Sequence, residues 1–172
     1  MPLLKTHTIS RAHLEALTER PISDVISPLE LKPALATPPF VQNCPLLNVR
    51  DLGLVPDSGI RPGLVYRCGM MSDDVETATW LQNNVKAIFD LRHAAEAARM
   101  PDPQPEGVQY VRLETVGKFD RLNLEEFGEG DGSAAWKKRY LEILELYAPT
   151  IQAVLAHLRD AGTPFVIHCG GE

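Results

Sequence analysis

An α/β domain with a mainly parallel central sheet flanked by helices is the fold class this sequence predicts, on three observations. Short apolar runs alternate with amphipathic helical stretches from about residue 40 onward. Two consecutive helical patterns stand directly before the final apolar run. That run, Pro164-Phe165-Val166-Ile167-His168, is apolar enough to be central in a covered sheet.

Residues 1–39 read as a lead-in and residues 40–172 as the domain proper. Thr8 to Thr18 suits a short helix with Leu14 and Leu17 on one side. Five prolines between Pro21 and Pro39 predict a largely irregular segment, since proline removes a backbone donor and fixes φ. After the turn Arg61-Pro62-Gly63, Leu64–Tyr66 reads as a strand. A helix is expected from Asp73 to Asn83, with Asp73 as its cap and Glu76 completing an acidic capping box. Val85–Leu91 is a strand candidate with Val85, Ala87, Phe89 and Leu91 on one face and Ile88 on the other. A short helix from His93 to Arg99 is stopped by Pro101, and Val108–Leu113 gives a further strand.

Residues 114–133 are polar and glycine-rich, so a loop with at most one helical turn is expected there, and long loops on compact domains are often functional. In the helix predicted over 134–147, Trp136, Tyr140, Leu144 and Tyr147 fall at the spacing of one buried stripe. A second helix begins near Pro149, carries Ile151, Val154, Leu155 and Leu158 on its apolar face and ends at Gly162.

With 172 residues and 44% apolar content, the chain can bury one real core. A net charge of −6 without runs of like charge argues against non-specific binding to nucleic acid or acidic membranes. No apolar stretch approaches the roughly 18 residues of a membrane span, and the N-terminus lacks a signal-peptide core. A cytoplasmic protein is expected. The three cysteines, Cys44, Cys68 and Cys169, are odd in number and have neither zinc-ligand nor redox-pair spacing, which suits a reducing compartment. Cys44 and Cys68 read as small buried hydrophobes. No cofactor and no metal are expected, and His93 and His157 read as helix-surface residues.

Cys169 differs. It stands at the carboxyl end of the apolar strand and is followed by Gly170 and Gly171. Successive backbone N–H groups in such a turn can face an anion, and a helix start beyond it adds positive potential. The same field favours thiolate, the reactive form of cysteine. The bland alternative is a buried cysteine ending a strand.

Four segments together resemble a known family. Phe165-Val166-Ile167-His168-Cys169 resembles the strand entering the phosphate loop of protein tyrosine phosphatases, which starts His-Cys and places arginine after five intervening residues. Asn48-Val49-Arg50-Asp51-Leu52-Gly53 is similar to the Asn-x-Arg-Asp-hydrophobic-Gly motif of that superfamily's bacterial and fungal branch. Arg61-Pro62-Gly63-Leu64-Val65-Tyr66-Arg67-Cys68-Gly69 is similar to its next block, where a small residue usually follows Tyr-Arg. Ile88-Phe89-Asp90-Leu91-Arg92, then Glu96 and Pro101-Asp102, resembles its Asp-Leu-Arg…Glu…Pro-Asp block. The resemblance covers roughly residues 38–169.

The resemblance implies a tyrosine-phosphatase-like fold and a phosphomonoester hydrolase. Cys169 would attack phosphorus, and an aspartic acid would protonate the leaving oxygen and then activate water. Asp90 or Asp120 is the acid candidate. Asp90 alternatively pairs with Arg92 or caps the following helix, and Asp120 alternatively is a solvated loop charge. His168, Gly170, Gly171 and Arg92 are expected around the phosphate, with His168 orienting the site by hydrogen bonding. Asn48, Arg50 and Asp51 are expected to form a structural turn network. The implied partner is a phosphorylated protein or a phosphoinositide. The family's arginine would fall beyond Glu172 and Glu172 departs from the loop pattern, so the chain is expected to be truncated, impaired in catalysis, and completed by a second copy or a partner chain. The alternatives are a non-hydrolytic, partner-binding pseudophosphatase and a relative acting on a non-phosphate substrate.

Overall fold

The computed structural model describes residues 9–21, 23–118 and 123–170. Helix α1 (Arg11–Thr18) starts where the Ser10 hydroxyl accepts from the His13 N–H, and it buries Leu17. The proline-rich segment corrects one expectation, because it holds a helix, α2 (Pro28–Leu35). Pro28 sits in the first turn, where a missing N–H costs nothing, and Ser27 and Glu30 close a reciprocal capping box. Proline count alone missed that local signal.

Strand β1 (Arg50–Asp51) pairs antiparallel with β2 (Val65–Cys68), and Phe40 bridges to Arg50. Between them lies a turn of 3-10 helix, Leu52–Leu54. The buried Asp51 carboxylate accepts from the Gly53 N–H at 2.9 Å and the Gly63 N–H at 2.7 Å, which stitches two distant turns together. A Cβ on Gly53 would lie 2.5 Å from the backbone of Arg61 and Pro62, so glycine is required there. The expected turn network is thus present around Asp51.

Helix α3 (Val75–Asn84) is capped by Asp74 and not Asp73. Its carboxylate accepts from the Thr77 N–H at 2.7 Å, which leaves Glu76 one position short of a capping box. The remaining elements are β3 (Ala87–Asp90), α4 (Ala94–Arg99), β4 (Gln109–Arg112), α5 (Leu124–Phe127), α6 (Ser133–Leu146), α7 (Ala148–Asp160) and β5 (Phe165–His168). The strand order is β1-β2-β5-β3-β4, parallel throughout except for β1. This is the mainly parallel α/β sheet expected, with the last strand in the centre.

Two core layers follow from strand alternation. Ile88, Val166 and Cys68 pack with Leu81 and Met71 on one side. Ala87, Phe89, Val65 and Phe165 pack on the other, under Val154 and Leu158 of α7. Val85 belongs with Ile88 rather than with Phe89, because it ends α3 before the pleat begins. His157 is half-buried, not a surface residue. Its ring meets Phe89 and Phe165 edge-on at 5.7 and 5.2 Å, and its Nε2 lies 3.0 Å from the Thr163 carbonyl.

The expected buried stripe of α6 is not buried. Trp136, Tyr140 and Leu144 are all more than half exposed, and only Tyr147 at its end turns inward. The helix uses a different face, with Ala135 buried and Ile143 and Leu146 half-buried. Spacing identified the helix and its periodicity but could not say which stripe meets the sheet. Leu155 of α7 is likewise exposed, while Val154 and Leu158 pack inward. Among the described residues no helix is long and apolar enough to cross a membrane.

Candidate functional site

The carboxyl ends of β2, β5 and β3 lie side by side, which sets Cys68, His168 and Asp90 in one row. Both ends of β5 are pinned to the β3 segment: Lys86 N–H donates to the Pro164 carbonyl at 2.7 Å and Leu91 N–H to the His168 carbonyl at 2.9 Å. The residue immediately beyond this fixed point is Cys169, the one exposed thiol among the three cysteines. In a parallel sheet this is the crevice end, where ligands bind.

Below Cys169 lies a buried charge network. Arg92 donates from Nε and Nη2 to the two oxygens of Asp90, each at 2.9 Å, and its backbone N–H donates to the same carboxylate at 2.9 Å. Arg92 Nη1 donates to the Met100 carbonyl at 2.7 Å, and Nη2 also reaches Asp102. The Tyr110 hydroxyl donates to Asp90. His168 Nε2 lies 3.0 Å from Asp102 and 3.6 Å from Asp90, outside hydrogen-bond alignment. Asp90, Arg92, Asp102 and His168 are all buried.

Burial by itself would push the Asp90 carboxyl up, but the hydrogen bonds from Arg92 and Tyr110 outweigh it and hold the group below its ordinary value. Burial would lower the Arg92 guanidinium, and the facing carboxylates instead raise it. Burial and the Asp90 charge together push the Tyr110 phenol up. Asp90, Asp102 and His168 also offer ligand atoms within 4.8 Å of one another. Arg92 already binds both carboxylates and supplies the positive charge a metal ion would bring, so this donor set does not fit a cation.

Around the thiol, the Glu96 carboxylate lies so close to Gly170 that a Cβ there would stand 2.3 Å from its oxygen. Any larger residue at 170 would have to push Glu96 aside. The Tyr147 hydroxyl, at the end of α6, donates to the Leu91 carbonyl at 3.0 Å. Burial raises that phenol, and the charges of Cys169, Glu96 and Asp90 add to the rise. These groups therefore share one neighbourhood.

Of the residues singled out from sequence, Cys169, His168, Gly170, Asp90 and Arg92 are gathered at this end of the sheet. Asp90 and Arg92 are engaged with each other inside it. Asp120 and Gly171 lie outside the described residues. Sequence reading assigned no role to Asp102 or Tyr110. The Pro-Asp pair after α4 was a usable signal for the first, whereas nothing in the sequence marks the second as reaching Asp90.

Among curated proteins no match to the chain is found. Residues 43–171, from before β1 to beyond the exposed cysteine, match the tyrosine phosphatase family. That span holds the whole sheet, the stitched turns around Asp51 and the charge network under Cys169, and over it the chain belongs to the tyrosine phosphatase family.

Proposed function

We propose that the protein is a phosphomonoester hydrolase acting on phosphorylated protein, with Cys169 as its nucleophile. The observation that carries this reading is the position of Cys169, an exposed thiol directly after the pinned central strand. The sulfur attacks phosphorus, the ester oxygen leaves with a proton, and water then releases phosphate from the phosphocysteine. His168, Asp102, Arg92 and Asp90 serve as the rigid base under that thiol. Asp90 would have to abandon a buried ion pair to donate a proton, so its role in this reading is positioning. Asp120 keeps the acid role in the proposal, and Asp120→Asn should slow aryl phosphates with poor leaving groups more than p-nitrophenyl phosphate.

The test compares three polypeptides on p-nitrophenyl phosphate: residues 1–172, a version extended by a phosphate loop ending in arginine, and the extended version with Cys169→Ser. Removing one oxyanion donor typically costs about 10²–10³ in rate. The extended chain should exceed residues 1–172 by at least about that factor, and Cys169→Ser should abolish turnover. Turnover that survives Cys169→Ser would sink the reading.

A partner-binding role without turnover is a second reading, favoured by the exposed Trp136, Tyr140 and Leu144 on α6. It predicts no Cys169-dependent hydrolysis in the extended chain.

A further inference from the structure

We propose that Arg50 and Arg67 form a phosphate-binding site on the β1–β2 edge of the sheet, separate from the Cys169 crevice. β1 and β2 run antiparallel with Arg50 directly opposite Arg67. Directly opposed residues share one face of the sheet, with Cβ atoms about 4.5–5.5 Å apart. Two like charges so placed repel each other, and the strand pair is weaker for it. An anion held between them turns that cost into a binding site.

Nothing in the fold already fills this role. Among the described residues, neither arginine enters an ion pair or a side-chain hydrogen bond. The carboxylate next in sequence, Asp51, is buried and already accepts from the Gly53 and Gly63 N–H groups. Strand alternation also sends it to the face opposite Arg50. Arg50 is held in place by packing, its guanidinium carbon 5.6 Å from the centre of the Phe40 ring. Its Nε is buried without an acceptor, whereas its two Nη groups are not among the buried atoms and stay open to a ligand. Burial and the facing Arg67 charge both hold the Arg50 guanidinium below its ordinary value. Arg67 is exposed. The pair therefore has one fixed fork and one that can swing onto a ligand.

The chemistry of the pair selects the ligand. A guanidinium matches phosphate oxygens two at a time and binds them through charge-assisted hydrogen bonds. A phosphate dianion brings two charges and enough oxygens for both forks, whereas a carboxylate brings one charge and two oxygens. With the dianion bound, the like-charge pair becomes a neutral cluster. Inorganic phosphate and a phosphorylated side chain of a bound protein offer the same oxygens. The site does not depend on turnover at Cys169.

The test titrates inorganic phosphate into the 172-residue chain by calorimetry at fixed ionic strength, with acetate as the control. Wild type should bind phosphate at least about tenfold more tightly than acetate. Arg67→Ala should weaken phosphate binding about 10- to 100-fold, the loss of hydrogen bonding from one charged group. Cys169→Asp, which sets a repelling carboxylate in the crevice, should leave binding within about threefold, because salt screens that charge at the sheet edge. In chloride alone, Arg67→Ala should melt no lower than wild type, since it relieves a like-charge pair. Equal affinity for phosphate in wild type and Arg67→Ala, equal affinity for acetate and phosphate, or loss of binding in Cys169→Asp would overturn the proposal. So would a lower melt for Arg67→Ala in chloride, which would mean that Arg67 has a partner within the chain. A phosphoserine peptide added to the Cys169→Asp chain then separates the two sources of the anion. Tighter binding than inorganic phosphate assigns a phosphorylated protein, and weaker binding assigns free phosphate.

Discussion

The carboxyl end of the sheet and the outer face of α6 place their side chains in opposite ways. At the first, two aspartates, an arginine and a histidine are buried. At the second, a tryptophan, a tyrosine and a leucine face outward. Residue type predicts the reverse in both places. Burial follows pairing in one case, since each carboxylate has a bound partner, and accessibility of neighbours in the other, since α6 meets the rest of the protein through Ala135, Ile143 and Leu146. The same functional groups also occur in exposed pairs such as Arg159 with Asp160, whose distances are no longer than those inside. Distance alone therefore does not rank an ion pair. Solvent does.

The sharpest way to break this contrast is to remove the arginine. Arg92→Ala leaves two carboxylates buried without their shared partner, and such a loss costs about 3–5 kcal/mol. A drop in the urea midpoint of only the surface-pair size would refute the assignment. The pH dependence follows from Asp90, whose carboxyl is held below its ordinary value. Its stabilisation is fully present above the unfolded value of about 3.9 and fades as pH falls through the lower folded value. The stability gap between wild type and Asp90→Asn should accordingly close in acid. A gap that stayed constant down to the acid transition would contradict the shift.

Tyr110→Phe is a gentler probe, because the ring stays and only the hydroxyl bond to a charged group is lost. The expected cost is about 1.5–3 kcal/mol, read from denaturant unfolding. On the other region, replacing Tyr140 and Leu144 together by lysine should move stability by no more than about 0.5 kcal/mol. It should still reduce binding of an apolar dye or self-association, because it breaks a contiguous exposed patch. A large destabilisation there would mean that the stripe is packed after all. Smallest of all, Arg159→Ala should leave the melting temperature unchanged within error, since both partners of that pair are solvent-exposed.

These regions also show what the sequence could reveal. The alternation at Ala87, Ile88 and Phe89 and the unbroken apolar run at Phe165–Ile167 made the sheet readable, because side-chain direction in a strand is fixed by the backbone. The exposed stripe of α6 was misread for the complementary reason. A helix with apolar residues on more than one side has several candidate faces, and only tertiary contact chooses between them. At the site, Cys169 and His168 were legible from their place at a strand end. The coupling of Asp102 and Tyr110 to Asp90 was not, since it joins residues 10 to 20 positions apart through hydrogen bonds that leave no periodic trace. The helix at Pro28–Leu35 was hidden behind a count of prolines, although its cap residues were in plain view.

The strand order has a consequence for the birth of the protein on the ribosome. β2 and β3 do not pair with each other, and each waits for β5, which is synthesised after both and slides between them. Until then the nascent chain can hold two separate pairs, β1 with β2 and β3 with β4, each with a raw edge exposed. The long sequence separation between β2 and β5 makes that closing step slow compared with local helix formation. Cys169 emerges directly behind the strand that closes the sheet. That exposed thiol thus gains its neighbours only when the halves join, and a chain stalled before that moment lacks this arrangement.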